Sequence, residues 1–244
     1  GLPLHAEFIS FEDILNQGIP SDIKVILNAG RVNDAWSGGD YWAQEKIIEA
    51  LSEFIYNGGG FIGIGEPSAL RHSSQYFQLC HVLGVDREIG LTRAFQRFEF
   101  DLVQTPHFIL KDSDIISELD FGKDIDNIYV LDEATEVLAA REKSPMITTK
   151  QFGQGRSVYL SGYQFTPENV RLLHRAIFFA AQAEGQFETY TCRNVYTECA
   201  YYLNHCKLVV INNSDQTQDT LVTLEKGKTL KASLEPYGLQ IIDV

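Results

Sequence analysis

The stretch GGGFIGIGEPSAL, residues 58–70, decides how the chain is read. Residues 58–63 match G-x-G-x-x-G, a pattern that holds a dinucleotide only where it follows a strand and opens a helix whose N-terminus receives the pyrophosphate. Here the order is reversed. AQEKIIEALSEFIYNGG, residues 43–59, predicts a helix with Ile47, Ile48, Leu51, Phe54 and Ile55 on one face and Gly58 at its end. FIGIG, residues 61–65, predicts the strand that follows. The dinucleotide reading fails on that context, and a buried strand ending in a tight turn remains.

Working outward, apolar runs rich in β-branched residues alternate with helix-length amphipathic stretches to about residue 185, the pattern of an α/β domain. HAEFISF (5–11) and IKVILNA (23–29) predict the first strands, the second apolar enough to be covered on both faces. The loop GRVNDAWSGGDYW (30–42) leads into the helix already described. A helix is expected around YFQLCHVLG (76–84), then strand and loop through LTRAFQRFEFDLVQTPHFIL (91–110) and strands at NIYVL (127–131) and TEVLAA (135–140). SPMITTKQFGQGRSVYLSG reads as a hairpin closed by Gly153-Gln154-Gly155. PENVRLLHRAIFFAAQAEG is a helix, with Pro167 near its start, Glu168 in its first turn and Gly185 after its end. From Gln186 the chain reads as short strands separated by turn residues, a small antiparallel β module. The expected division is residues 1–187 and 188–244. A module of that size buries little core alone and is expected to pack on the larger domain.

With 33 acidic against 20 basic residues the formal charge is −13, which repels a nucleic-acid backbone and an anionic membrane. No apolar run approaches the ~20 residues of a membrane span. The start, GLPLHAEF, lacks the basic and apolar regions of a signal peptide, so a cytoplasmic location is expected. Cys80, Cys192, Cys199 and Cys206 lack the C-x-x-C spacing of zinc sites and read as free thiols, with no metal and no cofactor implied.

The strand ending at Gly63-Ile64, the later hairpin and the motif Q-F-x-P-E together resemble the class I glutamine amidotransferase fold, a flavodoxin-like sheet. That family carries a nucleophilic cysteine at the first turn and a histidine base ahead of P-E. In this chain Gly65 stands at the first position and Thr166 at the second, and only Pro167-Glu168 is kept. Neither can run Cys–His covalent catalysis, so the resemblance implies an inactive amidotransferase-like domain. Ser68, beside Pro67, reads as a cap for a following helix rather than a substitute nucleophile, and Cys80 as core.

Read together, ISFEDI, IPSDIKVILNAG, AWSGGDYW, GGGFIGIGEPSA, YFQLCHVLGVDREIG, LLHRAI and LEPYGLQIIDV are similar to the C-terminal region of the bacterial lacto-N-biose/galacto-N-biose phosphorylases. The resemblance implies a parent enzyme that splits β-1,3-galactosyl-N-acetylhexosamine with inorganic phosphate, with inversion, to galactose 1-phosphate and the amino sugar. It also implies that the acid and phosphate site lie on an N-terminal (β/α)8 barrel, which this chain does not spell. The barrel is therefore the expected partner, with a second copy of the chain as another, and the chain alone is expected to be silent. A free-standing carbohydrate-binding or sensing module on the inactive fold is the competing reading. The amidotransferase resemblance further places a first strand at the centre of the sheet. Only Gly1 to Leu4 precede HAEFISF, so that strand is expected to be absent and the 5–11 strand to shift beside 23–29, with hydrogen bonds between the Phe8 and Val25 regions, the alternative being a strand supplied to the slot by a second chain.

Inverting phosphorolysis needs a protonated carboxyl on the glycosidic oxygen and a cationic pocket for phosphate on the opposite face. No carboxyl pair can be assigned, so no catalytic residue is named. Arg87, Arg93 and Arg97 are interleaved with acidic and apolar residues and read as a solvated face. One cluster stands out as candidate substrate or interdomain contacts. Arg31, Trp36, Asp40, Tyr41 and Trp42 follow one strand and Glu66 follows another, which puts them at the carboxyl edge of the sheet. The structural alternative is that Trp36 and Trp42 fill an interface or fold back on the sheet.

Overall fold

The computed structural model describes residues 4–32, 34, 37–90, 97–104, 106–111 and 119–244. The chain divides into two compact units, Ala6–Gln182 and a smaller one of Ala183–Val244 that includes Leu4 and His5.

The larger unit is built on a mixed five-stranded sheet. Its strands are β1 (Val25–Gly30), β2 (Gly60–Gly65), β5 (Glu136–Arg141), β6 (Ser144–Phe152) and β7 (Gly155–Leu160), in the order β1-β2-β7-β6-β5. β1, β2 and β7 run parallel, whereas β6 and β5 each pair antiparallel with their neighbours. A short pair of β3 (Val85–Arg87) and β4 (Ile128–Val130) stands apart. Successive residues of β2 point to opposite faces, and both faces are covered. Phe61 enters a core with Ile47, Leu51 and Ile55 of α2 (Glu45–Tyr56), while Ile62 and Ile64 meet Leu172, Ala176 and Ala180 of α4 (Pro167–Ala180). Each of these Phe, Ile and Leu side chains contributes roughly 1.5–3 kcal/mol by leaving water.

The glycines of the quoted stretch serve this packing. A Cβ on Gly63 would come within 2.6 Å of Pro67. Gly65 has φ of 77°, and a Cβ there would stand 2.8 Å from the Gly30 carbonyl oxygen on β1. A Cβ at that turn could be admitted only if the β1 backbone moved away. Thr166 is the N-cap of α4, its hydroxyl accepting from the Asn169 N–H at 3.2 Å.

Three expectations are corrected. Residues 5–10 form no strand and Phe8 is 98% exposed, so no ladder joins Phe8 to Val25. Instead a capping box starts α1 (Phe11–Gln17). The Ser10 hydroxyl accepts from the Asp13 N–H at 3.0 Å, and the Asp13 carboxylate accepts from the Ser10 N–H at 3.1 Å. β1 is consequently an edge strand. The Gly60 N–H donates to Lys24 O and the Glu66 N–H to Gly30 O, so even-numbered residues face β2 and Val25, Leu27 and Ala29 turn their amides to the open edge. Second, the helix expected over 76–84 shrinks to α3 (Cys80–Leu83), because the Asp86 carboxylate accepts from the N–H groups of Tyr76 and Phe77 at 3.2 and 2.8 Å. Those amides are thereby held in a loop. Third, no helix starts at Ser68. It is fully buried with φ of 55°, and its hydroxyl accepts from the Leu79 N–H across the loop at 3.0 Å.

The smaller unit opens with α5 (Glu184–Phe187) and forms two three-stranded antiparallel sheets. One holds β8 (Thr191–Cys192), β11 (Gln218–Thr223) and β12 (Thr229–Leu234); the other holds β9 (Thr197–Tyr202), β10 (Lys207–Asn212) and β13 (Leu239–Asp243). Cys192, Leu208, Val210, Val222, Ala232 and Leu234 form its core. All four cysteines are free thiols, and burial pushes the Cys80 thiol up to about 12. Among the described residues no helix is long and apolar enough to cross a membrane.

Candidate functional site

β1 and β2 pair in parallel with Gly30 opposite Gly65, so Arg31 and Glu66 leave the sheet side by side at its carboxyl edge. A cavity of about 430 Å³ opens there, with Arg31, Glu66, Arg71, His72, Tyr76 and Arg87 among its lining residues. Glu66 is 4% exposed, and its carboxylate is fully engaged. One oxygen accepts from the Val32 N–H at 2.8 Å; the other accepts from the Tyr76 hydroxyl at 2.7 Å and from the Arg87 guanidinium. Glu66 thus ties the loop after β1 to the loop after β2 and to β3.

Arg87 is the centre of a second set of bonds. Its Nη2 donates to the Asp126 carboxylate at 2.9 Å and its Nε to the Asp126 carbonyl at 3.1 Å. Burial works against its charge, but the hydrogen bond to Asp126 and the negative charges of Glu66 and Asp126 hold it above its ordinary value. Burial first, and then the hydrogen bond to Glu66, push the Tyr76 hydroxyl above the usual phenol range, so it stays protonated and acts as a donor. Behind them Asp86, 1% exposed, accepts from the amides of Tyr76, Phe77 and Arg87, the last at 2.8 Å. Burial raises its carboxyl above the ordinary value. The pocket wall is therefore built from pairs far apart in sequence, and Arg87 is an inward ion-pair member rather than part of a solvated face. Arg97 is half-exposed, pairs with Glu88 and lies 5.0 Å over the Tyr129 ring, while Arg93 lies outside the described residues.

The other candidates separate from this pocket. Trp42 is 1% exposed; its indole N–H donates to Ser37 O at 2.5 Å, and its ring meets Phe11 of α1 edge-on at 5.2 Å. Tyr41 stacks on the same Phe11 at 5.4 Å and donates its hydroxyl to Glu12 at 2.9 Å. Both aromatics pack onto α1, presenting no stacked pair of faces to a sugar. Asp40 is exposed on the turn beside them, and Trp36 lies outside the described residues. Arg71, His72 and Tyr76 were not among the sequence candidates. They belong to the irregular loop between β2 and α3, where no periodicity marks which side chains turn to the cavity.

Both Glu66 oxygens are occupied as acceptors, from the Val32 N–H, the Tyr76 hydroxyl and the Arg87 guanidinium, so neither is turned to a ligand as a proton donor would be. Among the described residues no group of three or more His, Cys, Asp or Glu side chains is placed to hold a metal ion. The chemistry on offer is recognition through guanidinium and imidazole groups around a concave edge.

Comparison with known proteins agrees with the motif blocks. The family model described as the lacto-N-biose phosphorylase central domain matches residues 1–185, and that of the C-terminal domain matches residues 190–242. A 1,3-beta-galactosyl-N-acetylhexosamine phosphorylase of Lachnoclostridium phytofermentans is 40% identical over 96% of this chain and 32% of its own length. A D-galactosyl-beta-1->4-L-rhamnose phosphorylase of the same organism is 39% identical over 99% of this chain and 32% of its own. A 1,3-beta-galactosyl-N-acetylhexosamine phosphorylase of Bifidobacterium longum subsp. longum is 33% identical over 98% of this chain and 36% of its own. The chain thus spans about a third of the length of the curated relatives it matches. It belongs to the lacto-N-biose phosphorylase family, of which it carries the central and C-terminal domains.

Proposed function

We propose that this chain is the noncatalytic central and C-terminal region of a cytoplasmic phosphorylase acting on β-1,3-galactosyl-N-acetylhexosamines, built on an inactive amidotransferase-like frame. In the parent reaction a phosphate oxygen attacks the anomeric carbon of galactose from the face opposite the leaving group. The bond to the amino-sugar oxygen breaks, and that oxygen takes its proton from a carboxylic acid. The observation that carries the noncatalytic reading is Glu66: the carboxylate at the pocket accepts from Val32, Tyr76 and Arg87 and cannot serve as that acid. The acid and the attacking phosphate are then held by the portion that the longer relatives have in addition.

The test is phosphorolysis by the 244-residue chain alone and by the chain joined to the preceding portion of a relative. Lacto-N-biose, galacto-N-biose and galactosyl-β-1,4-rhamnose are the substrates, with release of galactose 1-phosphate as readout. The expected result is no release by the chain alone, and release from the two N-acetylhexosamine substrates by the joined protein. Turnover by the chain alone would overturn the reading. Preference for the rhamnoside would reassign the acceptor, in line with the rhamnose phosphorylase among the relatives. Tight binding of free galactose to the chain, with no gain on joining, would favour the carbohydrate-binding module.

A further inference from the structure

The cavity at the carboxyl edge of β1 and β2 has more positive charge than its structure uses. Of its three arginines, Arg87 is neutralised by Glu66 and Asp126. Arg31 gives one guanidinium N–H to the Lys123 carbonyl at 3.1 Å, and its other guanidinium donors have no partner among the described residues. Asp34, its closest acidic neighbour in sequence, instead accepts from the Arg31 backbone N–H at 2.9 Å. Arg71 has no ion-pair or hydrogen-bond partner among the described residues, and neither has His72 beside it. Two guanidinium groups with no acidic partner among the described residues therefore share one concavity on a chain whose formal charge is −13. Like charges around one cavity repel each other, and an anion between them removes that repulsion.

We infer that this cavity binds a phosphate group, free or carried on a sugar. The class follows from the donor set. One arginine fork saturates a planar carboxylate, whereas a tetrahedral oxyanion offers separate oxygens to forks arriving from two sides, here from the loop after β1 and the loop after β2. Glu66 holds those two loops together without spending either free arginine, so the site is preformed. A volume of about 430 Å³ exceeds what inorganic phosphate fills, and Val32, Ile89 and the Tyr76 ring supply a wall for an attached sugar. The inference goes beyond the proposed function, which leaves the attacking phosphate to the additional portion of the longer relatives, and rests on it only for the choice of galactose 1-phosphate as the sugar-phosphate probe.

Calorimetric titration of the full 244-residue chain at fixed ionic strength tests it, with inorganic phosphate, galactose 1-phosphate, galactose and acetate as probes. Saturable one-site binding of a phosphate species is expected, falling about tenfold or more in each of Arg31→Gln and Arg71→Gln and vanishing in the double variant. Both positions are exposed, so the urea midpoint of these variants should match that of the parent. Equal affinity for the two phosphates identifies free phosphate as the ligand, and tighter binding of galactose 1-phosphate identifies the sugar phosphate. Acetate binding as tightly as phosphate, binding that survives the double variant, or no saturable binding would each overturn the inference. These outcomes are separate from the phosphorolysis test, which reads bond cleavage and does not depend on affinity at this cavity.

Discussion

Glu66→Ala tests whether this carboxylate is the strut that holds the candidate site together. The substitution removes the acceptor for the Val32 N–H, the Tyr76 hydroxyl and the Arg87 guanidinium at one stroke. The side chains of the ion pair are 6% exposed for Glu66 and 20% for Arg87, so the pair is largely withdrawn from water. Breaking such a pair by deleting one partner costs about 3–5 kcal/mol. The lower end applies, because Arg87 keeps Asp126 and water can enter the cavity to meet the Val32 amide. Glu66→Gln retains an acceptor oxygen but no charge, and should cost about 1.5–3 kcal/mol, the range of a hydrogen bond to a charged group. Urea denaturation followed by circular dichroism is the assay, fitted with two transitions because the chain has two compact units. Only the transition of the larger unit should move, with an unchanged slope. At about 2–4 °C per kcal/mol for a unit of this size, the thermal midpoint should fall by about 6 °C or more in Glu66→Ala. A loss below about 1 kcal/mol would refute the reasoning, since that is the value of a solvated surface pair.

Three further outcomes are expected. Burial, and then the charges of Arg171 and Arg175, push His174 down to about 4 from its ordinary 6.5, so the folded chain keeps it neutral while the unfolded chain takes up a proton first. The stability this secures is present above the ordinary value and is lost as pH falls from 6.5 through about 4, reaching about 2 kcal/mol by roughly pH 5. His174→Gln should lose correspondingly less between pH 7 and 5, and equal slopes in urea titrations would sink the assignment. Gly65→Cys, which places a thiol where the proposed amidotransferase-like frame would have its nucleophile, should destabilise by at least about 1 kcal/mol through the positive φ and the contact with Gly30 O. It should also remain unreactive toward glutamine; an unchanged urea midpoint would show that the turn accommodates a side chain. In native-state hydrogen exchange the Val25, Leu27 and Ala29 amides on the open edge of β1 should exchange faster than those of Ile26 and Asn28, which face β2. Equal protection would mean that the edge is covered.

What the sequence determined by itself is whatever is encoded within a few residues or carried in whole motif blocks. The period of Ile47, Leu51 and Ile55 marks α2 because their neighbours along one turn of helix decide their burial. Pro167 at its first helical position, with Thr166 as cap, marks α4 for the same local reason. Blocks such as AWSGGDYW and FIGIGEPSA carried the family. The Ser10–Asp13 capping box was equally local, but β-branched and aromatic residues over 5–11 suggested a strand. A strand needs a partner, and partnership is not a local property. Only the tertiary structure decided the site. Glu66 meets Val32 across 34 residues and Arg87 across 21, and Arg31 reaches Lys123 across 92. Trp42 and Tyr41, aromatic residues beside a carboxylate in sequence, are drawn instead onto Phe11 by the burial of their rings. Which polar side chains are satisfied inside, and which are left to face a cavity, depends on contacts that form only once the loops after β1 and β2 leave the same edge of the sheet.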